Sequence, residues 1–207
     1  MGNLECDVFF ANPWATDEQL AKLLSSEELE RSRQFVNRLD RLRFMTGRLL
    51  VRYALSERLA VTPAEIQIVQ TCFICGAPHG KPRLSTGEWQ FSISHAGEYV
   101  VVAITSQSRV GIDIEPIDAS LCVSDLINLV LTKEEQDVFY TCPIEQSVQV
   151  FLRYWTRKEA LLKCLGLGLT VAPNTLALTP PSSASAITVW PQHWVHGSRF
   201  HFRTLIS

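Results

Sequence analysis

The sequence has no long apolar run: its longest purely apolar stretch, Tyr99 to Ile104, is six residues, against the ~20 that a bilayer-crossing helix requires. That excludes a membrane-spanning helix, and the stretch reads instead as a buried strand. There is also no low-complexity tract and no clear internal repeat. Charge is sparse, with 19% charged residues against 46% hydrophobic ones and a mean hydropathy of +0.08, a balance that excludes a self-repelling disordered chain. The start of the chain, Met1 to Asp7, carries acid where a secretory signal needs basic residues followed by an apolar core, so the expected location is cytoplasmic. Gly2 does not open a myristoylation motif, because Cys6 stands where that motif has Ser or Thr.

What is present is 207 residues, enough for one large domain or two small ones with a core that needs no staples. Six cysteines (Cys6, Cys72, Cys75, Cys122, Cys142 and Cys164) are scattered through the chain, without the density of a disulfide scaffold. Cys72 and Cys75, followed by His79, have half of a zinc site's spacing, but no second Cys/His pair follows at zinc-ribbon spacing. Two small cysteines in a Gly/Pro-rich loop are the preferred reading, with zinc as the alternative. The net charge of −2 hides an asymmetry, since residues 31–58 hold eight arginines against Asp40 and Glu57. Such a concentration serves a phosphate or an acidic partner, or is the solvated side of a helix.

Capping residues and periodicity predict a helix over about Ser26–Asn37 and another over about Asp40–Ala60. In the second, Leu42, Met45, Leu49 and Tyr53 form a core stripe, and Arg41, Arg48 and Arg52 fall on a neighbouring face. The Gly/Pro-rich segment from Cys72 to Thr86 reads as a loop. Alternation predicts a hairpin over Trp89–Thr105 turning at Gly97, then a strand over Arg109–Glu115 with Val110, Ile112 and Ile114 facing the core. Helices are expected near Val123–Val130, Lys133–Tyr140 and Ser147–Leu165, the last capped by Gly166. An edge hairpin is expected from Ile187–Trp190 and Arg199–Leu205.

Three clusters suggest chemistry. The pleat puts Asp113 and Glu115 on one face of their strand, and two adjacent carboxylates call for a cation such as a hydrated magnesium that also binds phosphate; the bland reading is an amphipathic strand with its acids in water. On the last long helix Trp155, Glu159 and Lys163 lie on one stripe with Lys158 beside them, either a functional row or a plain surface pair beside a core tryptophan. Lys81 in Gly80-Lys81-Pro82, with Ser94-His95 at the end of a strand, offers a hydroxyl, an imidazole and an ammonium to phosphate.

In this order the motifs Gly-Lys-Pro (80–82), Phe-Ser-Ile-Ser-His-Ala-Gly (91–97), Val-Gly-Ile-Asp-Ile-Glu (110–115) and Trp-Thr-Arg-Lys-Glu-Ala-Leu-Leu-Lys (155–163) resemble the 4'-phosphopantetheinyl transferases of the surfactin-synthetase-activating type, over about residues 25–170. The resemblance implies an α+β fold of two similar α/β halves, 1–108 and 109–207, related by a pseudo-twofold axis with the active site in the cleft between them. It implies transfer of the phosphopantetheine arm of coenzyme A to a serine of an acyl, peptidyl or aryl carrier protein, with release of adenosine 3',5'-bisphosphate, in fatty acid, polyketide or nonribosomal peptide synthesis. Asp113, Glu115 and Glu159 would hold magnesium, with manganese as a substitute, and Glu159 would be the base for the carrier serine. Lys158 and Lys163 would neutralise the pyrophosphate, and Arg43, Lys81, Ser94 and His95 would contact the nucleotide's phosphates, with Asp113, Glu159 and Lys163 forming the catalytic set. Arg31 is a weaker counterpart, because Glu28 stands where the family often has a basic residue. A monomer is expected, with no nucleic-acid or membrane partner. The competing readings are a magnesium-dependent phosphate-ester or nucleotide hydrolase and a nucleic-acid-binding module built on the arginines.

Overall fold

The apolar run from Tyr99 to Ile104 needs cover on both faces, and the fold supplies it by placing that strand at the centre of a sheet. The computed structural model describes residues 5–71, 76–77, 80–85, 87–118, 120–190 and 200–203. By compactness the chain divides into one unit of residues 1–115 with 163–166 and a second of residues 116–162 with 167–207.

The first unit runs through β1 (Asp7–Ala11), α1 (Glu18–Ala21), α2 (Ser26–Arg33), α3 (Arg38–Leu59), β2 (Ile68–Gln70), β3 (Pro82–Leu84), β4 (Gln90–Ala96) and β5 (Tyr99–Thr105). Its main sheet is antiparallel in the order β1-β5-β4, with Phe9 opposite Val102 and Ile93 opposite the same residue on the other side. Gly97, at φ 52°, makes the turn between β4 and β5. The long helix α3 packs on this sheet, and Val51, Ala54 and Leu55 meet Phe91, Val102 and Ile104 in one core. The side chain of Asn37 caps α3 by accepting from Leu39 and Asp40 N–H, and Ala60 ends it in the left-handed region.

Helix α2 starts where its Ser25/Glu28 capping box predicts but stops at Arg33, four residues short of Asn37. Two further expectations change here. Tyr53 is exposed and leaves the core stripe of α3. Arg48 and Arg52, read as candidates for a solvated face, are buried. They are held by Glu28: Arg52 Nη2 donates to Glu28 Oε2 at 2.6 Å, and Arg48 Nε lies 3.8 Å from Oε1. Arg52 also donates to the carbonyls of Pro63 and Ile66, and Arg48 to Gln70. Burial, only partly opposed by Glu28, pushes the Arg48 guanidinium down to about 10. Two of the eight arginines are thus internal braces and contribute little to a basic surface.

The second unit contains α4 (Ser124–Val130), α5 (Lys133–Tyr140), α6 (Ser147–Leu165, of which Lys163–Leu165 belong to the first unit), β6 (Ala177–Leu178) and β7 (Ile187–Val189). The helix boundaries match the periodicity closely, and Gly166 closes α6 at φ 75°. The tail differs: β7 pairs antiparallel with β6, residues 200–203 form no strand, and Arg199, Thr204 and Leu205 of the expected second run lie outside the described residues. Cys72, Cys75 and His79 also lie outside the described residues. Among the described residues no helix is long and apolar enough to cross a membrane.

The largest correction concerns Arg109–Glu115, which forms no strand among the described residues, and whose central residues are all half-buried instead of alternating. Alternation in a sequence reports side-chain preference and says nothing about who supplies the ladder hydrogen bonds. Side chains of the first unit take that role, and they build the site.

Candidate functional site

Period-2 geometry puts Ser92 and Ser94 on one face of β4, and both are buried. The segment 109–115 is fastened to that face. Ile112 N–H donates to Ser92 Oγ at 3.1 Å, and Ser94 Oγ donates to Asp113 Oδ1 at 2.9 Å. The last turn of α6 delivers Lys163, whose ammonium donates to Asp113 Oδ1 at 2.6 Å and to Ser94 Oγ at 2.8 Å. Sequence positions 94, 113 and 163 therefore meet in one hydrogen-bonded cluster. The Asp113 side chain is only 5% exposed, and its other oxygen, Oδ2, is buried and accepts no hydrogen bond.

A buried carboxylate oxygen without a donor is costly unless something electropositive meets it. With Glu115 exposed two residues further along the same segment, the donor set is one of hard oxygens, which suits magnesium or manganese. The residues of the first unit therefore fit a divalent cation. Asp113 and Glu115 belong to that unit, whereas Glu159, half-buried on α6 one turn before Lys163, belongs to the second. Among the described residues, neither unit by itself gathers three or more His, Cys, Asp or Glu side chains into a metal-holding group.

Arg43 is placed by the hairpin turn: its Nε donates to Gly97 O at 3.0 Å, and its Nη1 donates to Asp40 Oδ1 at 2.8 Å. His95 is exposed, yet partial desolvation of its ring, followed by the nearby cations Arg43 and Lys163, holds its pKa below the ordinary histidine value. Lys81 Nζ donates to the backbone carbonyls of Val110, at 2.8 Å, and Cys164, at 3.2 Å, and its burial lowers its pKa.

Lys158 departs from the pyrophosphate contact implied for it. It is fully buried in the second unit, where its ammonium donates to Glu135 Oε2, Val130 O at 2.6 Å and Pro173 O at 3.1 Å. An ammonium has three protons, and here all three have acceptors. Lys158 and Glu135 are a structural pair that joins α5, α6 and the turn before β6. Replacing Glu135 with Gln leaves a buried cation without its counter-charge, so denaturant unfolding is expected to show a loss of about 3 kcal/mol; a loss below about 1 kcal/mol would show the pair to be dispensable.

Sequence reasoning missed Ser92, Asp40 and Glu135. Ser92 carried a usable signal, since it lies two residues before Ser94 on the same pleat face. The pairings of Asp40 with Arg43 and of Glu135 with Lys158 differ: the first is an i, i+3 helix pair open to inspection, while the second links residues 23 apart and has no local signature.

In sequence the chain is similar to one family of known proteins over most of its length. The sequence model of the 4'-phosphopantetheinyl transferase superfamily matches residues 109–201, and that described as 4'-phosphopantetheinyl transferase, N-terminal, matches residues 12–107. The chain is 31% identical over 176 residues to the 4'-phosphopantetheinyl transferase HetI of a Nostoc species, covering 83% of this chain and 72% of that protein. It is 31% identical over 169 residues to a phosphopantetheinyl transferase of a Thraustochytrium species, covering 75% of this chain and 57% of the relative. With the 4'-phosphopantetheinyl transferase psf-1 of Bacillus pumilus it shares 28% over 180 residues, 85% of this chain and 72% of the relative. The chain thus spans between 57% and 72% of these three proteins. With both family segments matched in sequence order, the chain belongs to the 4'-phosphopantetheinyl transferase superfamily.

Proposed function

We propose that this chain transfers the 4'-phosphopantetheine arm of coenzyme A to a serine of an apo-carrier protein, with a divalent cation, and releases adenosine 3',5'-bisphosphate. The observation that carries the reading is the Asp113 carboxylate, with one oxygen held by Ser94 and Lys163 and the other buried without a donor. In the reaction the serine oxygen forms a bond to the phosphorus that bears pantetheine. The bond from that phosphorus to the adenosine-side phosphate oxygen breaks, and the serine proton passes to a base.

Asp113, Glu115 and Glu159 would hold magnesium, or manganese in its place, which when bound would offset the charge of the pyrophosphate. Glu159 is assigned as the base that takes the serine proton. Lys163, kept in place by Asp113 and Ser94, supplies positive charge to the oxygens on which charge develops. Arg43, Ser94 and His95 are assigned to the nucleotide's phosphates, where the His95 ring can donate a hydrogen bond. The division into two α+β halves near residue 108, a monomeric state and a cytoplasmic location belong to the same reading.

Release of adenosine 3',5'-bisphosphate, followed by chromatography with and without apo-carrier protein, tests the reading. It is expected only when a carrier is present, in equal amount to the carrier modified. Release from coenzyme A alone would indicate a hydrolase with water as nucleophile.

A further inference from the structure

We propose that Lys81 is a positioning residue, whose ammonium fixes the backbone beside both members of the Asp113–Lys163 pair. The inference rests on the transferase reading and gives Lys81 a different duty from the phosphate contact that the resemblance implies.

Val110, whose carbonyl accepts from Lys81 Nζ at 2.8 Å, lies three residues before Asp113. Cys164, whose carbonyl accepts at 3.2 Å, directly follows Lys163. One side chain therefore ties together the segment that carries the carboxylate and the helix end that carries the ammonium. Both ends have reason to require it. The segment 109–115 belongs to no sheet, so its course depends on side-chain fastenings at Ser92, Ser94, Lys163 and Lys81. Cys164 O is one of the last four carbonyls of α6, which have no partner within the helix.

The stem of Lys81 is placed as well as its head. A Cβ added at Gly166 would lie 3.5 Å from Lys81 Cβ and 3.7 Å from Lys81 Cδ, so the aliphatic chain lies along the C-cap of α6. Gly166 itself is at φ 75°, where a side chain is disfavoured. With two of its three protons given to backbone carbonyls, Lys81 is bound into the first unit before any phosphate arrives.

The test compares wild type with Lys81→Met, Lys81→Gln and Lys81→Arg. Steady-state transfer to an apo-carrier, with coenzyme A varied, should show kcat lowered by about a hundredfold in the Met variant, the cost of a displacement near 1 Å at a reacting centre. KM for coenzyme A should stay within about twofold of wild type, and Arg should restore part of kcat because it can donate to both carbonyls. A raised KM with unchanged kcat would overturn the proposal in favour of a phosphate contact. Amide hydrogen exchange, which needs no substrate, should show faster exchange across residues 109–115 in Lys81→Met and Lys81→Gln with the exchange of β5 unchanged. Unchanged exchange at 109–115 would also overturn it. If wild type modifies no carrier while exchange changes as expected, the transferase reading fails and the positioning role stands.

Discussion

Asp113→Ala is expected to abolish transfer, by about a thousandfold or more, while the protein stays folded. The size follows from the several kcal/mol that a metal contributes by stabilising transition-state charge. The survival of the fold follows from the location: Asp113 lies in a segment outside the sheets, and Ile112 remains tied to Ser92 when the carboxylate is gone. Ser94 and Lys163 retain each other as partners, and the Lys163 side chain is 29% exposed and can be solvated. Asp113→Asn is the sharper variant, because it keeps the shape and an acceptor for Ser94 but removes the charge. Transfer rates with matched circular dichroism decide the matter, and an active Asp113→Ala protein would remove Asp113 from the site.

Lys163→Ala should reduce kcat/KM by about a hundredfold, the size of a lost hydrogen bond to a charged group, and most of the loss should be a raised KM for coenzyme A, because the ammonium meets the pyrophosphate in the bound substrate as well as in the transition state. An unchanged KM for coenzyme A would count against its phosphate role. The substitution also leaves Asp113, 5% exposed, without its cation, so stability should fall by about 1–3 kcal/mol. Added magnesium should return part of that stability, which thermal unfolding with and without the ion would register. Lys163→Arg is not a neutral exchange here, since a bulkier planar guanidinium replaces the compact ammonium that donates to both Asp113 Oδ1 and Ser94 Oγ.

Local signals in the sequence specified the elements that are local in origin. The β4–β5 hairpin follows from alternation around Gly97, and α5 and α6 follow from a capping box and a terminal glycine. An element that exists through distant pairing had no such signal: β1 finds its partner β5 some ninety residues away. β3 lies in the segment that reads as a loop, and β7, expected as a strand, pairs with β6 and not with the run after Arg199. Residues 109–115 illustrate a subtler limit. Their alternation placed Asp113 and Glu115 near each other, but only the folded chain shows that Ser92, Ser94, Lys81 and Lys163 replace a strand ladder.

The site shows the same division. Asp113, Ser94 and Lys163 were legible as members of motifs, and the first unit brings them together. Lys158, beside Glu159 in sequence, is by resemblance a pyrophosphate contact and is instead the buried partner of Glu135. A charged residue's spacing on a helix shows its face, but whether that face meets solvent or another element is decided by long-range packing. The arginine-rich helix α3 makes the point again, with Arg48 and Arg52 turned inward to Glu28 while Arg41 faces solvent.

The most direct test of the central claim is the intact mass of apo-acyl, peptidyl and aryl carrier proteins after incubation with this protein, coenzyme A and magnesium, run beside a chelator control and Asp113→Ala. The account predicts a gain of one phosphopantetheine arm on at least one carrier, lost in both controls. No gain on any carrier, or a gain that survives both the chelator and the loss of Asp113, would contradict it.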